Sequence, residues 1–133
     1  VLYHMEKPAE LIERLANITN RLFIWTHYYD HDIISHNYEV ISQNPRYKDR
    51  FTASLESEHA GFKHTLYRQE YEDAIYSPVF CGGNKNFSNW MDKKDIVSCL
   101  EYFRFDDIQI EFDEPYHVNG PAFSIAAIRN NQN

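Results

Sequence analysis

The segment RLFIWTHYY, residues 21–29, decides the predicted fold. It is rich in aromatic and β-branched residues and shows no alternation of polar and apolar positions. A strand that is apolar on both faces is typical of the middle of a parallel sheet covered by helices. We therefore predict an α/β protein with a central strand at 21–29.

The residues before this strand predict a strand and a helix. Val1–Tyr3 is a short apolar run, which indicates the end of a buried strand at about 1–4. Pro8 suits the first turn of a helix, where its missing N–H needs no partner. Apolar residues then recur on one helical face, which predicts a helix at about 8–19.

The C-terminal residues repeat this order of elements. Asp92 can cap a helix at about 92–103, and apolar residues alternate with polar ones at 108–113. A second apolar run follows at 122–129. The connection between these two strands is too short for a crossover helix, so we expect them to pair antiparallel.

The middle of the chain, residues 31–90, differs in kind. It has no clear helical period, and segments 50–55 and 63–71 flank a turn at Gly61, which predicts a hairpin. The sequence Cys81-Gly82-Gly83-Asn84 indicates a loop. We predict one domain over 1–133, in which 1–30 and 91–133 form the sheet and 31–90 is an inserted cap.

Composition narrows the function. The chain has 133 residues, 43% hydrophobic residues and a net charge of −7, which predict one globular domain and disfavour a general binder of nucleic acid or anionic membranes. No apolar stretch is long enough to span a bilayer. Aromatic residues make up 16%, enough for a core and a pocket. The two cysteines, Cys81 and Cys99, are expected to be reduced and mostly buried.

The N-terminal residues favour a cytoplasmic protein, because they carry no basic region followed by a long apolar core. The sequence begins at Val1 and not at Met. A processed product or a fragment of a longer protein therefore stays open.

Several short stretches, in this order and spacing, resemble the C-terminal half of a class I S-adenosylmethionine-dependent methyltransferase. The resemblance covers nearly the whole chain. The stretches that carry it are VLYH at 1–4, Lys7-Pro8 with the helix after it, LFIWTHYY at 22–29, FCGG at 80–83, SNWM at 88–91, FDDI at 105–108 and NGPA at 119–122. The family commonly has Gly where this chain has Arg104.

The resemblance implies a partial Rossmann-like sheet, with parallel strands plus an antiparallel C-terminal pair, flanked by helices and carrying the inserted cap. It also implies that Leu2, Tyr3 and His4 flank S-adenosylmethionine. His4 and His27 become the candidate catalytic residues, since each closes a predicted strand at the sheet edge where α/β proteins bind ligands.

Further residues are candidates for binding a methyl acceptor. Tyr28 and Tyr29 end the strand after His27, and adjacent strand residues point to opposite faces, so at most one of them faces a shared pocket. An aromatic cap over the acceptor is one interpretation of the insertion, and surface packing is the other. The cap candidates are Tyr67, Arg68, Tyr71, Tyr76 and Trp90, and the candidates in the last turn are Glu114, Tyr116, His117 and Asn119.

Two other chemistries are disfavoured. The group His27, Asp30, His31, Asp32 and His36 matches no established metal-binding spacing, so we predict no metal site. No G-x-S-x-G sequence is present to expose a serine nucleophile.

The glycine-rich loop that cradles the donor in this family is missing. The four glycines stand at 61, 82, 83 and 120, and no G-x-G-x-x-G pattern occurs. We therefore expect weak or no binding of S-adenosylmethionine by this chain alone. The leading hypothesis is the C-terminal portion of a methyltransferase for a small-molecule acceptor, completed by an N-terminal half. The alternative is a non-catalytic binding module that associates through its exposed sheet edge, for example as a homodimer.

Overall fold

A computed structural model describes residues 2–37, 42, 47–71, 76 and 85–130. Its strands form two three-stranded sheets. Its two longer helices contribute residues to the same hydrophobic core as both sheets. The helices are α1 (Pro8–Ala16), α2 (His31–His36) and α3 (Lys93–Tyr102), with short 3-10 helices at Leu2–His4 and Lys48–Arg50. The strands are β1 (Arg21–His27), β2 (Phe51–His59), β3 (Phe62–Glu70), β4 (Phe87–Trp90), β5 (Asp107–Glu114) and β6 (Ala122–Ile128).

The prediction of a partial Rossmann-like parallel sheet is wrong. The sheets have the orders β1-β6-β5 and β2-β3-β4, and every neighbouring pair of strands in them is antiparallel. Among the described residues, the only parallel pairing is an isolated bridge between Tyr29 and Asp92. β1 therefore lies at the edge of an antiparallel sheet and not in the middle of a parallel one.

The apolar character of β1 has a different cause from the one predicted. Leu22 and Ile24 pack against the core, whereas Phe23 and Trp25, on the other face, are 63% and 39% exposed. The absence of polar alternation therefore reflects an exposed aromatic face and not burial on both sides.

Four local predictions also fail. Residues Leu2–His4 form a 3-10 turn instead of a strand, and α1 ends at Ala16 instead of 19. Residues 31–36 form a short helix inside the segment predicted to lack one, with the Asp30 side chain capping it at the Ile33 N–H (3.0 Å). Residues 87–90, which the resemblance places in the loop before the final helix, form the third strand of the second sheet.

Two pairings are confirmed. β5 and β6 run antiparallel, from Ile108 opposite Ala127 to Glu114 opposite Ala122. β2 and β3 form the predicted hairpin, with a two-residue turn at Ala60 and Gly61. Both turn residues have positive φ (50° and 89°), as a tight turn that matches strand twist requires. The predicted loop at 81–84 lies outside the described residues.

One hydrophobic core joins both sheets and both longer helices. It includes Ile12 of α1, Leu66 of β3, Leu100 of α3 and Phe123 of β6. Cys99 lies in this core as a free thiol, and burial raises its pKa to about 12. The hairpin of the predicted cap thus packs into the same core as the C-terminal sheet. No helix among the described residues is long and apolar enough to cross a membrane.

The end of α3 holds Arg104 in a conformation that favours glycine. Phe105 N–H donates to the Leu100 carbonyl (3.1 Å) and Arg104 N–H donates to the Glu101 carbonyl (3.0 Å), the two hydrogen bonds of a Schellman cap. This cap places Arg104 at φ 79°, a conformation that costs free energy for any residue with a Cβ.

We predict that Arg104→Gly stabilises the protein. Removing the Cβ relieves strain in the folded state, which raises the free energy of unfolding, whereas the greater freedom of Gly in the unfolded chain lowers it. We expect a net gain of about 0.5–1 kcal/mol in the free energy of unfolding. Urea unfolding measures it. Arg104→Ala is the matched control, because it shortens the side chain but keeps the Cβ. An equal gain in both variants would show that the side chain, and not the backbone conformation, is responsible.

Candidate functional site

The candidate site is built around His27, at the C-terminal end of β1. The His27 side chain is 4% exposed, and Trp25, two residues earlier on the same face of the strand, is 39% exposed. β1 thus places a buried imidazole beside a partly open indole, with their ring centroids 5.0 Å apart.

Two backbone carbonyls determine the tautomer of His27. Its Nδ1 lies 3.0 Å from the Gly120 oxygen and 3.2 Å from the Pro121 oxygen. Because carbonyl oxygens only accept, Nδ1 carries the proton and Nε2 has the free lone pair of a neutral imidazole. Burial lowers the pKa of His27 to about 4, which keeps the ring neutral at pH 7.

Aromatic rings from four separate segments surround His27. The Trp90 indole stacks on it at 5.3 Å between centroids, and Tyr3 and His117 meet it nearly edge-on at 4.5 Å and 5.2 Å. His4 in turn packs on Tyr3 at 4.0 Å. We call these six residues the aromatic cluster: Tyr3, His4, Trp25, His27, Trp90 and His117.

The N-terminal 3-10 turn supplies Tyr3 and His4 because β4 anchors the residues that follow it. Asn89 donates from its backbone N–H to the Met5 carbonyl (3.1 Å) and from its side chain to the Glu6 carbonyl (2.8 Å). Burial lowers the pKa of His4. Its Nδ1 is buried without a hydrogen-bond partner in the described part of the chain.

The turn between β5 and β6 supplies His117 and the carbonyls that hold His27. The Asn119 N–H donates to His117 Nδ1 (3.1 Å), and the Tyr47 hydroxyl donates to the Asn119 carbonyl (3.2 Å). Gly120 has a φ of 120°, and a Cβ there would lie 3.1 Å from Trp90 Cη2 and inside contact distance of the Tyr47 hydroxyl. Only glycine lets this turn approach both rings.

Five of the predicted site residues converge in the aromatic cluster: Tyr3, His4, His27, Trp90 and His117. Their roles remain predictions. Leu2, expected beside the donor, packs in the hydrophobic core, and its place beside the donor stays a prediction.

The other candidates lie elsewhere. The Tyr28 hydroxyl donates to Asp113 (2.8 Å), which also pairs with Lys93. The Tyr29 ring stacks on Tyr67 at 3.8 Å.

Arg68 pairs with Glu70 (2.6 Å) and lies over the Phe87 ring. Tyr71 is buried, and Tyr76 is 85% exposed. Asn119 contributes its backbone to the turn. Among the described contacts, the side chains of Arg68, Tyr76 and Asn119 do not join the aromatic cluster.

Sequence reasoning missed Trp25 and Gly120. Trp25 could have been found from the period-2 alternation that places it on the same face as His27. Glycine is required at position 120 because Tyr47 and Trp90 pack against it. Both residues are distant from Gly120 in the sequence, so no local sequence pattern predicts this requirement.

Two of the residues considered for metal binding, Asp30 and His36, have structural roles. Asp30 caps α2, and His36 Nδ1 donates to the Asp32 carbonyl (2.8 Å) in the same helix. The described residues contain no group of three or more His, Cys, Asp or Glu side chains that could hold a metal ion.

An apolar groove runs along the edge of β1 that has no neighbouring strand among the described residues, and we call this edge the free edge of β1. It has a volume of about 320 Å³ and lies between that strand and α1. Its lining residues are all hydrophobic: Leu2, Leu11, Leu15, Leu22, Phe23, Ile24 and Trp25. An exposed edge strand with apolar side chains normally has a cover.

Comparisons with known proteins find similarity of structure only. No protein-family model matches the chain, and no curated protein matches it. Two crystal structures are similar: the N-terminal domain of EvdMO1 with SAH (S-adenosylhomocysteine) bound, and the same domain in the presence of SAH and D-fucose. Each has 15% sequence identity and a TM-score of 0.59, and the alignment covers 98% of this chain.

This similarity is one of fold. The alignments cover 43% and 44% of the EvdMO1 chains, so this chain spans less than half their length. The chain shares its fold with part of the N-terminal domain of EvdMO1, whose crystal structure has SAH bound.

Proposed function

We propose that this chain is the C-terminal portion of an S-adenosylmethionine-dependent methyltransferase that acts on a small-molecule acceptor. The observation that carries the proposal is the fold shared with the SAH-bound domain of EvdMO1. The aromatic cluster supports it independently, because a buried neutral imidazole among aromatic rings suits the orientation of a small acceptor.

The donor site is incomplete in this chain. No glycine-rich cradle occurs in the sequence, so Tyr3 and His4 can form only one wall of a donor site. The remaining wall would come from an N-terminal half, and that half would also cover the free edge of β1. The bound donor would supply the methyl group.

His27 is the proposed residue that orients the acceptor. Its Nε2 lone pair would accept a hydrogen bond from an acceptor hydroxyl or amine and so align that atom with the methyl group. The carbonyls of Gly120 and Pro121 hold the proton on Nδ1, so the ring cannot turn its N–H toward the acceptor. His4 is the second candidate for this role.

SAH binding tests the proposal. We would titrate SAH calorimetrically into the 133-residue chain and into the protein encoded by the longest reading frame that contains it. We expect no binding to the short chain at millimolar SAH and micromolar binding to the longer protein. In the longer protein, Tyr3→Leu should weaken SAH binding at least tenfold.

Tyr76→Leu is the matched control, since Tyr76 is 85% exposed and outside the cluster. It should bind SAH like the wild type. A longer protein that fails to bind SAH, or a reading frame without a glycine-rich strand–turn–helix before Val1, would contradict the proposal.

The free edge of β1 favours a second candidate function, a non-catalytic module that pairs with a second copy of itself. Phe23 and Trp25 would then be covered by the same strand of the partner. Sedimentation equilibrium separates the two candidates. A dimer at micromolar concentration that Phe23→Lys dissociates favours the module, whereas a monomer at 100 μM rules it out.

A further inference from the structure

The aromatic cluster has no strongly charged side chain. Its members are three imidazoles, two indoles and a phenol, which are joined by direct ring contacts. Burial holds the pKa of both His27 and His4 below the usual histidine range, so both rings are neutral at pH 7. An ionised ligand group placed against His27 would meet no charged side chain among the cluster's own members, and burying a charge without a partner is strongly unfavourable.

The cluster has a solvent-facing side at Trp25. The indole is 39% exposed and meets the His117 ring at 5.5 Å, whereas His27 and Trp90 behind it are 4% and 2% exposed. A partly open indole that is backed by buried rings offers a flat surface on which another ring can stack.

The cluster also has hydrogen-bonding capacity that the described residues do not use. His4 Nδ1 and Trp90 Nε1 are buried and lack a hydrogen-bond partner in the described part of the chain. Native proteins seldom leave such groups unsatisfied, and a ligand hydroxyl can both donate to an imidazole nitrogen and accept from an indole N–H.

We infer that the aromatic cluster binds an uncharged ring that carries a hydroxyl group, stacked on the Trp25 indole with its hydroxyl toward the imidazoles of His27 and His4. The inference rests on the proposed function, in which this ring is the methyl acceptor. The ring can come from a sugar or from a phenol, since both combine a flat apolar face with a hydroxyl.

Matched pairs of probes test the charge and the ring type together. Each pair differs by a methyl group in place of a carboxylate: 6-deoxy-D-glucose against D-glucuronate, and 4-methylphenol against 4-hydroxybenzoate. Saturation-transfer NMR on the 133-residue chain at pH 7.5 measures the four affinities. We expect one neutral probe to bind with a Kd on the order of 1–10 mM and its carboxylate to bind at least tenfold more weakly.

Two variants locate the site. Trp25→Leu should weaken the neutral probe about fivefold to tenfold, because the stacking surface is lost. Phe23→Leu is the control, since Phe23 is an exposed aromatic residue on the same face of β1 and lies outside the cluster. It should change the affinity less than twofold. Circular dichroism confirms that both variants are folded.

The outcomes separate this inference from the proposed function. Carboxylate probes that bind as well as the neutral ones, equal effects of the two variants, or no binding of any probe at 50 mM would overturn the inference. None of these results concerns SAH binding by the longer protein. Conversely, suppose that the ring binds in a way that depends on Trp25 while the longer protein fails to bind SAH. That result would support the ring-binding site and contradict the proposed methyltransferase function.

Discussion

Replacing Gly120 by Ala should lower the free energy of unfolding by about 3 kcal/mol or more. The new Cβ would collide with the Tyr47 hydroxyl and press on Trp90, and φ of 120° is unfavourable for any residue with a Cβ. Since Gly120 also holds His27 through its carbonyl, the same change should disturb the aromatic cluster. Urea unfolding followed by tryptophan fluorescence measures the loss.

A double variant identifies the cause. Tyr47→Phe removes the hydroxyl that the new Cβ meets. The loss of unfolding free energy in the double variant, Gly120→Ala with Tyr47→Phe, should therefore be about 1–2 kcal/mol smaller than the sum of the losses in the two single variants. Asn119→Ala is the control in the same turn, because its side chain is exposed, and it should cost less than about 0.5 kcal/mol. Strict additivity of the two losses would refute the steric explanation.

Replacing Arg129 by Met should cost about 2–3 kcal/mol of stability. The guanidinium donates to the Ala16 carbonyl (3.0 Å) and to the Phe103 carbonyl (2.8 Å), so it satisfies acceptors at the C-terminal ends of α1 and α3. A positive charge there also complements both helix dipoles. Met keeps the apolar stem and removes the donors and the positive charge, and thermal or urea unfolding gives the difference.

Arg14→Met is the matched control. Arg14 makes an exposed ion pair with Glu10 inside α1, and its side chain is 73% exposed, so its loss should cost less than about 0.5 kcal/mol. Arg129→Lys should recover less than half of the lost stability, because an ammonium group cannot reach two diverging carbonyls as a guanidinium does. Equal losses in the Arg129 and Arg14 variants would show that the link between the helices contributes nothing.

The sequence predicted those elements whose signals are local. α1 and α3 each follow an amphipathic period, β5 alternates with period 2, and the hairpin is marked by Gly61. In contrast, the direction in which strands pair is a tertiary property. Residues 21–29 looked like a central parallel strand because Phe23 and Trp25 are apolar, and only the structure shows that they face solvent.

The candidate site divides in the same way. Tyr3, His4, His27, Trp90 and His117 were chosen one by one for their chemistry, and the structure brings these five together. Tyr28, Tyr29 and Arg68 were equally good candidates by residue type and position. In the structure they contact Asp113, Tyr67 and Glu70 and not the aromatic cluster. The choice between the two groups depends on packing across segments that lie far apart in the chain.

The pairing of β1 with β6 has a consequence for biosynthesis. Arg21 lies opposite Ile128, so β1 leaves the ribosome long before β6, the strand with which it pairs. At a synthesis rate of about 5–20 residues per second, the backbone edge of β1 that pairs with β6 stays unpaired for roughly 5–20 seconds. Throughout that interval the nascent chain exposes an unpaired strand that is rich in aromatic residues. We therefore expect this strand to bind a chaperone at the ribosome exit.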